Sequence, residues 1–193
     1  MLSDIIKEMQ PAEGVTPRYT DILGELFSEL KLHDSWKGQF FTPQVVSDMM
    51  GEMGIDKVKI TIEERGYVSV LEPCVGGGSL VIGLINSMFH AGLNPCKQLL
   101  ITACDIDIRC IYMSYIHLSL MGVPAIIQQR DFLSGKNLGD TWYTPIFILD
   151  GWYDRLRLES IAEGFKKIFS ETPTEIEKPV KVENPKPTQL SLF

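Results

Sequence analysis

From Tyr19 onward, apolar and polar positions recur with a helical period. Ile22, Leu23, Leu26, Phe27 and Leu30 share one face, and Asp21, Glu25 and Glu29 occupy the other. A loop, HDSWKGQFFTP, follows, and Pro43 suits the first turn of a second helix that runs to about Met53. The pattern then changes to short apolar runs alternating with helical ones. YVSVLEP reads as a strand and GSLVIGLINSMFHAG as a helix stopped by Gly92. QLLITACD reads as a second strand, IRCIYMSYIHLSLMGV as a helix ending at Gly122, and AIIQQRDFL as a third strand. PIFILD is a candidate fourth strand. This alternation predicts an α/β fold with a parallel, doubly wound sheet whose ligands sit at the C-terminal ends of the strands.

The two ends of the chain lack such periods. Pro11, Gly14 and Pro17 mark a loosely structured lead-in, and ETPTEIEKPVKVENPKPTQLSLF carries four prolines among mixed charges, as an extended, disordered tail would. The expected organisation is a helical lead-in with the GQFFTP segment over residues 1–43, an α/β domain over 44–170, and a proline-rich tail over 171–193.

Composition narrows the class. The chain has 193 residues, enough for one domain with a real core. No run of about 18 apolar residues occurs, because the best candidate, SLVIGLINSMFHAGL, is short and interrupted by Asn86 and His90. MLSDIIKEMQ lacks the basic-then-apolar order of a secretory signal. Cysteines 74, 96, 104 and 110 form no CxxC pair and show no metal-ligand spacing, so they read as buried thiols in a cytoplasmic protein, with no metal site expected. A net charge of −7 argues against a protein that coats DNA by a basic face, but leaves room for a local groove or a recruiting partner.

The candidate chemistry lies in VLEPCVGGGSL. Gly76, Gly77 and Gly78 let a ligand approach the main chain, and the helix that starts there turns its free N–H groups toward the same place. A tight strand-to-helix turn is the plain alternative. Glu72 stands where a phosphate-binding loop would carry lysine, so a triphosphate would be repelled and a cationic or hydroxyl-bearing ligand fits better. In ACDID, Asp105 ends the second strand, the position from which a carboxylate accepts hydrogen bonds from ribose hydroxyls. A ligand with a ribose and a cation but no phosphate chain is S-adenosylmethionine.

Three stretches in order carry a family resemblance: DILGELFSELKLHDSWKGQFFTPQVVSDMM, VLEPCVGGGSL and CDIDIRCIYMSYIHLSLMGVPA. Over roughly residues 20 to 135 the chain resembles the adenine-N6 DNA methyltransferases of the type I restriction-modification methylation-subunit kind. The resemblance implies a Rossmann-like S-adenosylmethionine-dependent methyltransferase fold and site-specific methyl transfer to adenine in DNA. It implies that Phe41 and Thr42 approach the methionine part of the cofactor, Thr42 bonding its carboxylate. Glu72, Cys74, Gly76 and Gly78 would line the loop, Asp105 would hold the ribose, Ile106 would lie on the adenine face, and Asp131 would accept from the adenine amino group. For Asp131 a solvated strand-end acid, and for Cys74 a small filler, are the alternatives.

The family places Asn or Asp, two prolines and an aromatic at the end of its fourth strand, to hold the flipped base. This chain has no such string. Asp150 and Tyr153, in DGWY, keep an acid at the first position and an aromatic at the fourth, and are the candidate catalytic residues. In the competing reading Thr144 caps and Pro145 opens a helix, leaving Asp150 on a solvated face. Few residues separate Tyr153 from the tail, so a truncated sheet is expected, with an edge or pocket completed by a second subunit. Two functions stay open: a DNA adenine methyltransferase, and a catalytically inactive relative that binds cofactor as a regulatory or interaction module. A small-molecule methyltransferase or a dehydrogenase fits less well, because the entry segment resembles DNA enzymes and the loop is not GxGxxG. The last five residues, QLSLF, resemble the peptide by which bacterial proteins dock on the DNA polymerase sliding clamp. That likeness gives Gln189 a polar subsite and Leu190, Leu192 and Phe193 an apolar groove.

Overall fold

The computed structural model describes residues 18–30 and 42–170, with side chains to residue 163. Phe41 and the tail residues Gln189, Leu190, Leu192 and Phe193 lie outside the described residues. The chain divides between Asp154 and Arg155 into two compact units, and the sheet belongs wholly to the first.

That first unit begins with α1, Ile22–Glu29, and α2, Gln44–Arg65. Then come β1, Val68–Glu72; α3, Ser79–His90; a single turn α4, Pro95–Gln98; β2, Leu99–Asp105; α5, Ile108–Leu120; and β3, Ala125–Asp131. β4, Lys136–Tyr143, and the short α6, Pro145–Leu149, follow, and α7, Trp152–Ser170, runs across the division. The result is an α/β fold with an open sheet flanked by helices. Its order is β1-β2-β3-β4, with β1, β2 and β3 parallel and β4 antiparallel to β3. No helix among the described residues is long and apolar enough to cross a membrane.

β2 is buried almost along its whole length, as a central parallel strand covered on both faces must be. Around it one core gathers Ile55, Val58 and Ile62 of α2, Ile82, Ile85 and Met88 of α3, and Ile111 and Leu118 of α5. The strand and helix expectations from residue 67 to 133 agree with these elements, and both helices stop at glycines in the left-handed region, Gly92 (φ 74°) and Gly122 (φ 68°).

Four expectations need correction. The sheet is not doubly wound: its strands lie in sequence order without a reversal, and β4 turns back as a hairpin beside β3. PIFILD is not a strand: Pro145, whose fixed φ suits the first helical position, opens α6 behind Thr144 at the N-cap. Thr144 is itself fully buried, its hydroxyl donating to the Val123 carbonyl at 2.8 Å and accepting from the Ala125 N–H at 2.9 Å. The fourth strand is instead KNLGDTWY, an exposed antiparallel edge with too few apolar residues to show a strand period. The second helix also runs past Met53 to Arg65, where Gly66 (φ 80°) ends it. Its inner face is Ser47, Gly51, Ile55, Val58 and Ile62, while Val45, Met49 and Met53 stand exposed on the other side. Apolar residues on both sides hide the period.

Small residues on that inner face let α2 and α3 touch backbone to backbone. A Cβ added at Gly51 would lie 2.5 Å from the Gly83 carbonyl oxygen, and one at Gly83 would lie 2.2 Å from the Ser47 carbonyl oxygen. Gly54, on the same helix, faces open space. Gly51→Ala is therefore expected to destabilise the protein by about 1–3 kcal/mol through overpacking. Gly54→Ala should stabilise it by about 0.5–1 kcal/mol through helix propensity. Urea midpoints moving in the same direction for both variants would refute this packing account.

Candidate functional site

β1 ends at Glu72 and the chain enters the glycine loop. The loop is fixed to the neighbouring strand before any ligand is considered: the Val75 N–H donates to the Cys104 carbonyl at 2.8 Å. The Gly76 N–H donates to Asp105 Oδ2 at 2.9 Å. Gly76 and Gly78 hold φ of 56° and 100°, a region that side-chain-bearing residues rarely adopt. Gly78 is also the N-cap of α3 and offers no side-chain acceptor, so the first-turn N–H groups of that helix face the loop without a cap.

Asp105 is the hub of this end of the sheet. Besides Gly76 it accepts from the Asp107 N–H through Oδ1 at 2.9 Å, and Asp107 in turn caps α5 by accepting from the Arg109 N–H. Each Asp105 oxygen keeps a lone pair for a hydroxyl donor. Glu72 lies half-buried beside it, its Oε1 accepting from the Cys74 N–H at 3.1 Å. Desolvation, then the Asp105 and Glu72 carboxylates, push the Cys74 thiol up, so it stays protonated and makes a poor nucleophile. Ile106 is exposed next to Asp105, and its carbonyl accepts from Gln129 Nε2 at 3.0 Å. The β3–β4 ladder slips between Gln128 and Arg130, and this irregularity turns Gln129 toward the loop after β2.

Asp131, at the end of β3, ties its own turn together. It accepts from the Leu133 and Ser134 N–H groups and from the Ser134 hydroxyl at 2.7 Å, and the Ser134 bonds hold its carboxyl below the usual range.

Beneath the loop lies a buried group that the apolar period assigns to the solvated face of α1. Asp21 caps α1 by accepting from the Gly24 N–H at 2.8 Å, and its carboxylate fills the space a Cβ on Gly77 would need, 2.4 Å away. His117, 1% exposed in its side chain, has Nδ1 at 2.8 Å from the Gly77 carbonyl and at 3.6 Å from Asp21 Oδ1. The Leu23 N–H donates to the other ring nitrogen, His117 Nε2, at 3.4 Å. A polar network holds the segment before α1. Asn86 exchanges two hydrogen bonds with the Tyr19 backbone and donates to Asp48, which also accepts from Gln44 and Arg18. Burial would raise the Asp48 carboxyl, but the bonds from Asn86, Gln44 and Arg18 and the Arg18 charge hold it below the usual range.

Between α1 and the start of α2 opens a cavity of about 250 Å³, lined by Asp21, Glu25, Ser28, Glu29, Thr42 and Gln44 among others. Through Asp21 it abuts Gly77. The structure thus gathers Glu72, Cys74, Gly76, Gly78, Asp105 and Ile106 at one end of the sheet, with Thr42 in the adjoining cavity.

Asp150 and Tyr153 are not part of that assembly. Thr144 is bonded to the residues that begin β3, and Trp152 packs edge-on against Tyr67, which precedes β1, at 5.0 Å between ring centroids. In parallel strands those starts lie at the end remote from Glu72, Asp105 and Asp131. β3 has seven residues, so the separation along it is roughly 20 Å at about 3.3 Å per residue. Both side chains are exposed there.

Asp21 carries a checkable electrostatic signature. Burial raises its pKa above the ordinary 3.8, opposed by the nearby His117 and the Gly24 N–H. The folded protein then keeps a proton that the unfolded chain has released. The stability from Asp21 is complete below the ordinary value and is lost as pH rises through the raised one. In urea titrations from about pH 4 to 7 the stability of the wild type should fall relative to Asp21→Asn as pH rises. A pH-independent difference would remove the buried-carboxyl assignment.

Comparison of the chain with protein-family models and with curated proteins found no match.

Proposed function

We propose that the chain binds S-adenosylmethionine, or its demethylated product, across the C-terminal ends of β1 and β2, as the cofactor half of a Rossmann-like methyltransferase fold. The observation that carries this reading is the junction at Asp21 and Gly77, where the glycine loop adjoins the Thr42 cavity. Asp21 and Gly77 are both buried, so their contact fixes the loop and the cavity wall to one another and brings residues far apart in sequence together. The cavity, at about 250 Å³, is smaller than the roughly 300–1,000 Å³ of a site that engulfs a whole ligand. It suits the amino-acid end of the cofactor: Thr42 offers a hydroxyl to a carboxylate, and the acidic walls suit an ammonium group. Asp105 keeps lone pairs for two ribose hydroxyls, Glu72 offsets the sulfonium charge, and exposed Ile106 offers an apolar face to the adenine. The bound cofactor would supply an electrophilic methyl group; the chain's own residues bind and orient it.

The same geometry favours the binding-module reading over a complete DNA adenine-N6 methyltransferase. Asp150 and Tyr153 stand at the far end of the sheet and cannot hold a base against a methyl group at the loop. An acceptor-positioning group, and a basic surface for DNA, would come from a second subunit. Calorimetry with S-adenosylmethionine and S-adenosylhomocysteine is expected to show binding. Asp105→Ala should weaken it about tenfold to a hundredfold, the worth of a charge-assisted hydrogen bond, with folding checked by circular dichroism. The isolated chain should transfer no tritium from labelled cofactor to plasmid DNA. Absence of heat with both ligands refutes cofactor binding; transfer that Asp150→Ala abolishes refutes the binding-module reading.

We further propose, from the sequence alone, that QLSLF recruits the protein to a bacterial sliding clamp. Tethering to a ring around DNA would raise the local concentration of an acidic protein near its target. In anisotropy titrations with purified clamp, the double variant Leu192→Ala, Phe193→Ala should lose binding. Equal binding by variant and wild type would exclude this role.

A further inference from the structure

At the end of the sheet remote from the glycine loop, the turn that joins α6 to α7 borders a second, open cavity of about 230 Å³. Its walls are Tyr143, Phe147, Ile148, Gly151, Tyr153 and Asp154. Three aromatic rings and one carboxylate around so small a volume define its chemistry. Tyr143 and Phe147 have ring centroids 5.0 Å apart at an interplanar angle of 33°, so buried Phe147 forms the floor and holds the partly exposed Tyr143 ring in place. Gly151, with φ of 67°, makes the sharp turn that brings Tyr153 and Asp154 round to the same rim. Tyr153 and Ile148 are each 66% exposed and Leu149 is 82% exposed, so the cavity opens within an apolar patch. The two cation–ring contacts among the described residues, Arg65 over Tyr67 and Arg109 over Phe27, lie elsewhere.

We propose that this cavity receives the arginine side chain of a partner polypeptide. A planar guanidinium stacks on the exposed faces of Tyr143 and Tyr153 and at the same time forks onto a carboxylate, a combination that an ammonium point charge matches less well. The volume is below that of a site for a whole small molecule and fits a single long side chain. Exposed Ile148, in the lining, and exposed Leu149, next to it in sequence, offer apolar contact for the residues beside the arginine, which favours a peptide over a free cation. Asp154 in the lining, with Asp150 four residues before it, supplies the negative charge that a guanidinium needs. This site is independent of cofactor binding, since it shares no residue with the loop or the Thr42 cavity.

The test uses the full-length ¹⁵N-labelled chain and two peptides, acetyl-Leu-Leu-Arg-Leu-amide and the same sequence with citrulline, which keeps the shape of arginine without its charge. Saturable shifts are expected at the amides of Gly151, Tyr153 and Asp154. The citrulline peptide should bind at least about fivefold more weakly, and Tyr153→Leu and Asp154→Asn should each cost about threefold to tenfold. Asp105→Ala should leave the shifts unchanged, which separates this site from the cofactor reading. Equal binding of the two peptides, shifts confined to other surfaces, or none at millimolar peptide would overturn the proposal. So would self-association in sedimentation that Ile148→Glu abolishes, because the patch would then be a contact between copies.

Discussion

The carboxylate of Asp21 occupies a space that no side chain on Gly77 could share, and the arrangement of the loop end of the sheet depends on that exclusion. It caps α1, sits against the glycine loop and lies beside the buried ring of His117, which holds the Gly77 carbonyl from the other side. A buried acid without such partners would cost several kcal/mol in lost hydration. Its hydrogen bond to Gly24 and the adjacent imidazole reduce that cost, and the arrangement persists only while α1, the loop and α5 stay in register. The loop is thus preorganised from two directions, by Asp105 through Gly76 and by Asp21 and His117 at Gly77. A ligand binding there would not have to bear the entropy of ordering the glycines.

The helical layer supports this constraint without bulky packing. Ser47, Gly51, Gly83 and Ser87 let α2 approach α3 closely enough for Asn86 to reach the Tyr19 backbone and Asp48. Larger residues would move α2 away and separate Gln44 from the Asp21 N–H, to which it is bonded at 3.2 Å. Close helix contact, polar network and buried acid form one chain of dependence from the outer layer to the loop.

Much of the fold was legible because its periods are clean. β1, β2, β3, α3 and α5 each bury one dominant set of apolar residues between glycine or proline punctuation, and such segments announce themselves. α2 does not, since Val45, Met49 and Met53 add an exposed apolar side to its buried one. β4 does not either, because an exposed edge strand needs no apolar alternation. PIFILD is a short apolar run whose length suits a strand or a helix turn, and only Thr144 with Pro145 argues for the helix. At the site, Glu72, the glycines and Asp105 were readable from their place behind strands. Asp21 and His117 were not: one falls on the polar side of a helical period and the other within a helix, and only tertiary contact makes them part of the loop. Gln129 was hidden for a different reason, as a register slip in the ladder redirects it.

The sheet topology then decides what the two ends can do. The hairpin of β3 and β4 carries the chain back to the starts of the parallel strands, so everything after Tyr143 in the first unit collects at that end. Acids and glycines gather where β1 and β2 finish; aromatic residues gather where β1 and β3 begin. Reversing one connection, from a crossover helix to a hairpin, transfers Asp150 and Tyr153 from the loop end to the opposite end. A recognisable residue pair therefore has no chemistry of its own until the connection before it is known. Here that connection gives the pair to a surface patch, at the opposite end of the sheet from the glycine loop.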